Sequence, residues 1–92
     1  MSRVALVTGG SRGIGAAISK ALKDAGYTVV ATYAGNDEKA AAFSAETGIK
    51  TYKWDVGSYD ECAAGIAQVE AEVGPVEVLV NNAGITRDAP FH

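Results

Sequence analysis

Apolar positions along this chain follow two alternating rhythms. Val4 to Val7 (VALV) is a short apolar run without polar interruption, the pattern of a strand covered on both faces. Thr28 to Thr32 (TVVAT) is a second such run, rich in β-branched residues. Between them Ile14, Ala17, Ile18, Ala21, Leu22 and Ala25 recur at steps of three and four. That spacing predicts a helix with its apolar stripe on those residues and Gly26 as its C-terminal cap. Asn36 then reads as an N-cap, with Asp37 and Glu38 in a first turn whose dipole favours negative charge. The alanine-rich helix that follows anchors through Phe43 and stops near Gly48.

Ile49 to Trp54 (IKTYKW) sets Lys50 and Lys53 among strand formers, which predicts an edge strand protected by charge. Ser58-Tyr59-Asp60-Glu61 has the spacing of a capping box and opens a helix with the stripe Cys62, Ile66, Val69 and Val73. Gly74-Pro75 ends it, and Val76 to Val80 (VEVLV) predicts a fourth strand. Strands and helices alternate with short joints. This predicts an α/β fold: a parallel, doubly wound sheet with right-handed crossovers and helices on both faces, in one domain over residues 1–92.

Composition narrows the partners. A chain of 92 residues with 48% hydrophobic and 21% charged residues is long enough for one well-cored domain. A net charge of −3 without a Lys/Arg cluster argues against a nucleic-acid partner. No stretch approaches the ~20 apolar residues that span a bilayer, and MSR with five apolar residues is too short for a signal-peptide core. Cys62 is alone, which excludes an internal disulfide and a cysteine-rich zinc site, and it reads as a small buried hydrophobe. His92, the one histidine, sits on the last residue and is a poor catalytic candidate. No metal site is expected, and the setting reads as reducing and cytoplasmic.

The chemistry lies at the predicted strand ends. Residues 8–15, TGGSRGIG, follow the first strand and open the first helix. Ligands of open parallel sheets bind beyond the carboxyl ends of the strands, where glycines admit a diphosphate and a helix N-terminus attracts it. Alone, the segment is a weak pattern that reads equally as a turn. Asp55 follows the third strand, and Asn81-Asn82-Ala83-Gly84 follows the fourth. An Asp there can also be a turn former or helix cap, and NNAG alone is a turn. Three polar strand ends converging on one crevice favour a ligand site.

TGGSRGIG, the Asp55-Val56 pair and NNAG, at these separations and on these strand ends, resemble the short-chain dehydrogenase/reductase family over all 92 residues. The resemblance implies a Rossmann fold with strand order 3-2-1-4. It also implies a nicotinamide cofactor held by Gly9, Ser11, Arg12, Gly13, Ile14 and Gly15. By the same carry-over Asp55 and Val56 meet the adenine, and Asn82, Ala83 and Gly84 line the nicotinamide ribose. Asn81 ties the central strands together.

Members that use NAD usually place an acid at the end of the second strand, roughly 20 residues past the glycines. That neighbourhood here is Thr32-Tyr33-Ala34-Gly35-Asn36, with no acid, and Ala34 is its cofactor-binding candidate. Arg12 and Lys39 can supply cationic donors to a 2′-phosphate, so NADP(H) is expected. Both also read as ordinary solvated residues.

NNAGITRDAPFH resembles the reductases of 3-oxoacyl thioesters. The AGNDEKA and YKWDV segments are most similar to the acetoacetyl-CoA reductases of polyhydroxyalkanoate synthesis, which implies an acyl-CoA substrate. The 3-oxoacyl-carrier-protein reductases of fatty-acid synthesis share the ITRD run. In both, Ile85 and Thr86 stay near the cofactor, while Asp88 approaches the thioester or is a solvated loop carboxylate. The family's catalytic Ser and Tyr-x-x-x-Lys pair have no counterpart here: Tyr27, Tyr33, Tyr52 and Tyr59 are followed four residues on by Ala31, Asp37, Val56 and Ala63. The chain is therefore expected to be the cofactor-binding part of a longer reductase, tetrameric like its family. A stand-alone nucleotide-binding module without catalysis is the competing class.

Overall fold

The computed structural model describes residues 3–9, 11, 13–35, 37–55 and 57–82. They form β1 (Val4–Val7), α1 (Gly13–Asp24), β2 (Thr28–Tyr33), α2 (Asp37–Thr47), β3 (Lys50–Lys53), α3 (Tyr59–Glu72) and β4 (Val76–Val80). All pairings are parallel, in the order β3-β2-β1-β4. The uninterrupted VALV run is the innermost strand, 0–6% exposed at every residue, because neighbours pair with both its sides and helices cover both its faces.

Strand alternation sorts the core into two clusters. Val4, Leu6, Val30, Tyr52 and Trp54 point one way and meet Cys62, Ile66 and Val69 of α3 and Val73, which caps its C-terminus. Val7, Val29 and Ala31 point the other way and meet Phe43 of α2 with Ala16, Ile18 and Leu22 of α1. The α3 stripe therefore follows the sequence pattern, whereas the α1 stripe does so only at Ile18 and Leu22. Gly15 and Ser19 are the buried residues of α1, while Ile14 is 72% exposed and Ala17, Ala21 and Ala25 are exposed. Small residues four apart let α1 lie close to β1 and β2, and this turns the outer edge of the apolar stripe away from the sheet. Gly26 closes α1 at φ 102°, as its cap position requires.

The capping box of α3 is rearranged. The Glu61 amide donates to Ser58 Oγ (3.2 Å), but the Glu61 carboxylate accepts from the Asp55 amide (2.8 Å) and Ser58 N–H donates to the Asp55 carbonyl. Asn36, the expected cap of α2, lies outside the described residues.

Edge strand β3 sends a lysine to each face. Lys50 reaches Glu72 of α3 (3.8 Å) and Lys53 reaches Asp37 of α2 (3.2 Å). All four side chains are about half exposed or more, so each pair stabilises by at most about 1 kcal/mol. Their main effect is to keep the edge from pairing with another chain. Glu72 also accepts the Tyr52 hydroxyl (2.5 Å) and the Gln68 amide (3.2 Å). Burial, then the bond to Glu72 and its charge, push the Tyr52 hydroxyl up to about 12. The same bond holds the Glu72 carboxyl below its ordinary value, helped by Gln68 and Lys50.

Two outcomes are expected. A Cβ on Gly65 would overlap the six-membered ring of Trp54, whereas Gly35 has open space around it. Gly65→Ala should therefore destabilise by about 1–3 kcal/mol in urea unfolding although alanine favours helix, with Gly35→Ala near neutral. Tyr52 is raised from 10.0, so its share of stability is complete below pH 10 and falls as pH rises toward about 12. Glu72 is lowered, so its share is complete above its ordinary value of 4.5 and falls as the solution is acidified. Unfolding curves recorded across pH should thus be flatter at both ends for Tyr52→Phe.

Candidate functional site

The chain leaves β1 at the carboxyl edge of the sheet through a turn held from both neighbouring strands. On the β4 side, the Thr8 amide donates to the Val80 carbonyl (3.0 Å). The Thr8 hydroxyl, with one proton to give, lies 3.3 Å from that carbonyl and 3.2 Å from Asn81 Oδ1. Asn82 Nδ2 donates to the Gly9 carbonyl (3.3 Å). On the β2 side, the Gly9 amide donates to Thr32 Oγ1 (3.2 Å). Thr8, Thr32 and Asn82 are all at least nine-tenths buried, so these bonds supply partners that water cannot.

Beyond this clamp the loop is built to approach something closely. Gly9 and Gly13 have φ of 62° and 53°, a conformation that other residues avoid, and nothing lies within 4 Å of where a Gly13 Cβ would be. Ser11 is buried between them. Gly13 opens α1, whose first turn carries no acid, whereas α2 and α3 each carry two there. The N-terminal amides of α1 therefore face the loop without a neutralising side chain.

An open groove of about 400 Å³ between α1 and α2 is lined by Ser11, Gly13, Ala16 and Lys20 on one side, and by Lys39, Ala42, Phe43 and Glu46 on the other. It brings Lys39 to the glycine segment. Lys20 and Glu46 pair across it at 3.9 Å.

Of the other expected site residues, Ile14 is exposed at the start of α1 and Gly15 is buried one residue on, where it allows close packing. Ala34 is exposed directly after β2. Asp55 is exposed after β3, and its Oδ1 accepts the Gly57 amide (2.8 Å), so it shapes the turn before α3. Arg12, Val56, Ala83, Gly84, Ile85, Thr86 and Asp88 lie outside the described residues.

Sequence reading missed three participants. Thr8 and Thr32 carry the clamp, and their signal was a hydroxyl at the carboxyl end of a buried strand. The third is a cluster of Tyr33, Asp37 and Lys53 at the ends of β2 and β3. Lys53 Nζ lies 3.2 and 3.5 Å from the two Asp37 oxygens, and Tyr33 pairs in register with Lys53. Burial, then the nearby Asp37 carboxylate, raise the Tyr33 hydroxyl above its ordinary value, with Lys53 opposing. Among the described residues no group of His, Cys, Asp and Glu could hold a metal ion, and no helix is long and apolar enough to cross a membrane.

The family model described as short chain dehydrogenase matches residues 3–92. The acetoacetyl-CoA reductase of Paracoccus denitrificans is 78% identical over the whole chain, which covers 38% of that protein. A 3-oxoacyl-acyl-carrier-protein reductase of Staphylococcus aureus (strain Mu50) is 46% identical over 96% of the chain and 38% of its own length. The solved structure of a Bacillus thuringiensis protein named as a 3-oxoacyl-reductase superposes with a TM-score of 0.85 at 24% identity. That match covers 91% of this chain and 37% of the other, and it shows the shared fold.

Thr32→Val, which keeps the shape and removes the acceptor, leaves the Gly9 amide unpaired. It should lower stability by about 1–3 kcal/mol and speed hydrogen exchange at Gly9, as read by urea unfolding and amide exchange.

Proposed function

The chain belongs to the short-chain dehydrogenase family, and from that premise we propose that it is the cofactor-binding part of an NADP(H)-dependent reductase of acetoacetyl-CoA. It spans 38% of the length of the acetoacetyl-CoA reductases it matches. Family membership implies a nicotinamide cofactor, and the residues present fit one. The observation that carries the reading is the clamped glycine loop, with two left-handed glycines and open space above Gly13 at a helix start free of acids.

Within this reading the α1 amides and the backbone at Ser11 and Gly13 hold the diphosphate, and Gly9, whose own amide and carbonyl are bound in the clamp, lets it approach closely. Asp55 and the segment after Asn82 flank the adenine and the nicotinamide ribose respectively. The 2′-phosphate falls to Arg12 and Lys39, and Lys39 lines the same groove as Ser11 and Gly13. When bound, the reduced cofactor would supply a hydride to the 3-oxo carbon, and a proton delivered to its oxygen completes the 3-hydroxyl. Thr8, Thr32 and Asn82 keep the cradle fixed while the cofactor comes and goes.

Identities of 74–78% to acetoacetyl-CoA reductases, against 46% to the carrier-protein reductase, favour the CoA thioester and with it a role in polyhydroxyalkanoate storage. A cytoplasmic homotetramer completes the reading.

Full-length protein should bind NADPH at least about tenfold more tightly than NADH, and Arg12→Gln should remove most of that difference, as expected for a charge-assisted bond. Its kcat/KM should be higher for acetoacetyl-CoA than for acetoacetyl-acyl-carrier protein. Equal cofactor affinities would overturn the NADP(H) assignment, and the reverse substrate preference would move the protein to fatty-acid synthesis.

A further inference from the structure

An acid near the end of β2 disfavours a 2′-phosphate, and residues 32–36 contain none. Asp37, the next residue, is nonetheless a carboxylate at the same edge of the sheet, at the start of α2. The structure shows what becomes of it. Its two oxygens face Lys53 Nζ at 3.2 and 3.5 Å, beside Tyr33, the last residue of β2. The parallel register sets Tyr33 directly beside Lys53, on the face that carries α2. The carboxylate is thus drawn toward the edge strand, and its charge is balanced there.

We propose that Lys53 is a specificity-determining positioning residue: by holding and neutralising Asp37, it keeps the end of β2 open to the 2′-phosphate of NADP(H). This rests on the NADP(H) reading above. Lys53 acts through Asp37 and does not itself touch the cofactor. Without it, Asp37 stands four residues from Tyr33 as an uncompensated negative charge. It is then placed to repel a phosphate dianion and to accept the ribose hydroxyls of NAD(H) instead. Fields between exposed charges reach about 8 Å at physiological salt, enough for one charge at this edge to act on a ligand bound beside it. Both side chains are more than half exposed (54% and 68%), so replacing them leaves the core untouched.

The test measures Kd for NADPH and NADH by fluorescence titration on full-length wild type, K53Q, D37N and K53Q/D37N, and reads selectivity as their ratio. K53Q should lower the preference for NADPH about three- to tenfold, mostly by weakening NADPH, and less so at high salt. K53Q/D37N should return selectivity to that of D37N, since no carboxylate is left to balance. A wild-type preference for NADPH that K53Q leaves unchanged overturns the proposal alone. So does a double variant as unselective as K53Q, because Lys53 would then bind the phosphate directly. A wild type that binds NADH equally well removes the cofactor reading, and the proposal with it.

Discussion

A chain leaving a strand that is paired on both sides and covered on both faces must satisfy its next polar groups before it reaches water. That constraint governs the carboxyl edge of this sheet. β1 is buried throughout, so Thr8 and Gly9 emerge among the ends of β2 and β4 and take their partners there: Val80, Asn81 and Asn82 on one side, Thr32 on the other. Losing a buried partner costs about 1–3 kcal/mol, more than an exposed ion pair supplies. The few hydrogen bonds of the clamp thus fix the loop more firmly than the surface charges do. The loop can spend its glycines on left-handed turns because its base does not move.

The same constraint separates two asparagines that look alike in sequence. Asn81 is exposed and offers its oxygen toward the Thr8 hydroxyl, whereas Asn82 is buried and donates to Gly9. Both join β4 to the chain leaving β1. The two asparagines are therefore part of the support beneath the glycine loop. Ligand and scaffold roles overlap wherever a strand end is buried but its next residues are not.

Elements were legible in the sequence because period and punctuation agreed: strand runs bounded by Gly, Asn or Pro, and acidic first turns in α2 and α3. The strand order was legible only through the family resemblance, since alternation alone does not order a sheet. The α1 stripe was half placed: Ile18 and Leu22 meet the core, but hydrophobicity passed over Gly15 and Ser19, buried because they are small enough for close approach. Gly65 gave no signal at all, although its missing side chain is what admits the Trp54 ring. At the site, glycines and asparagines stood out as residue types with known uses. Thr8 and Thr32 did not, because a threonine in a strand is ordinary until its depth and its neighbours are known.

The edge strand shows why position along a parallel strand matters as much as residue type. Lys50 and Lys53 look equivalent, two lysines among strand formers, and each pairs with a carboxylate of the helix on its own face. In a parallel sheet, however, every strand points its carboxyl end to one edge, where ligands collect. Lys50 sits at the amino end of β3, and its pair with Glu72 joins a cluster closed by Tyr52 and Gln68, remote from that edge. Lys53 is the last residue of β3, beside the last residue of β2, so its carboxylate partner lies where charge bears on a ligand. Three residues along one strand separate a lysine that guards an edge from one that shapes the field of a site.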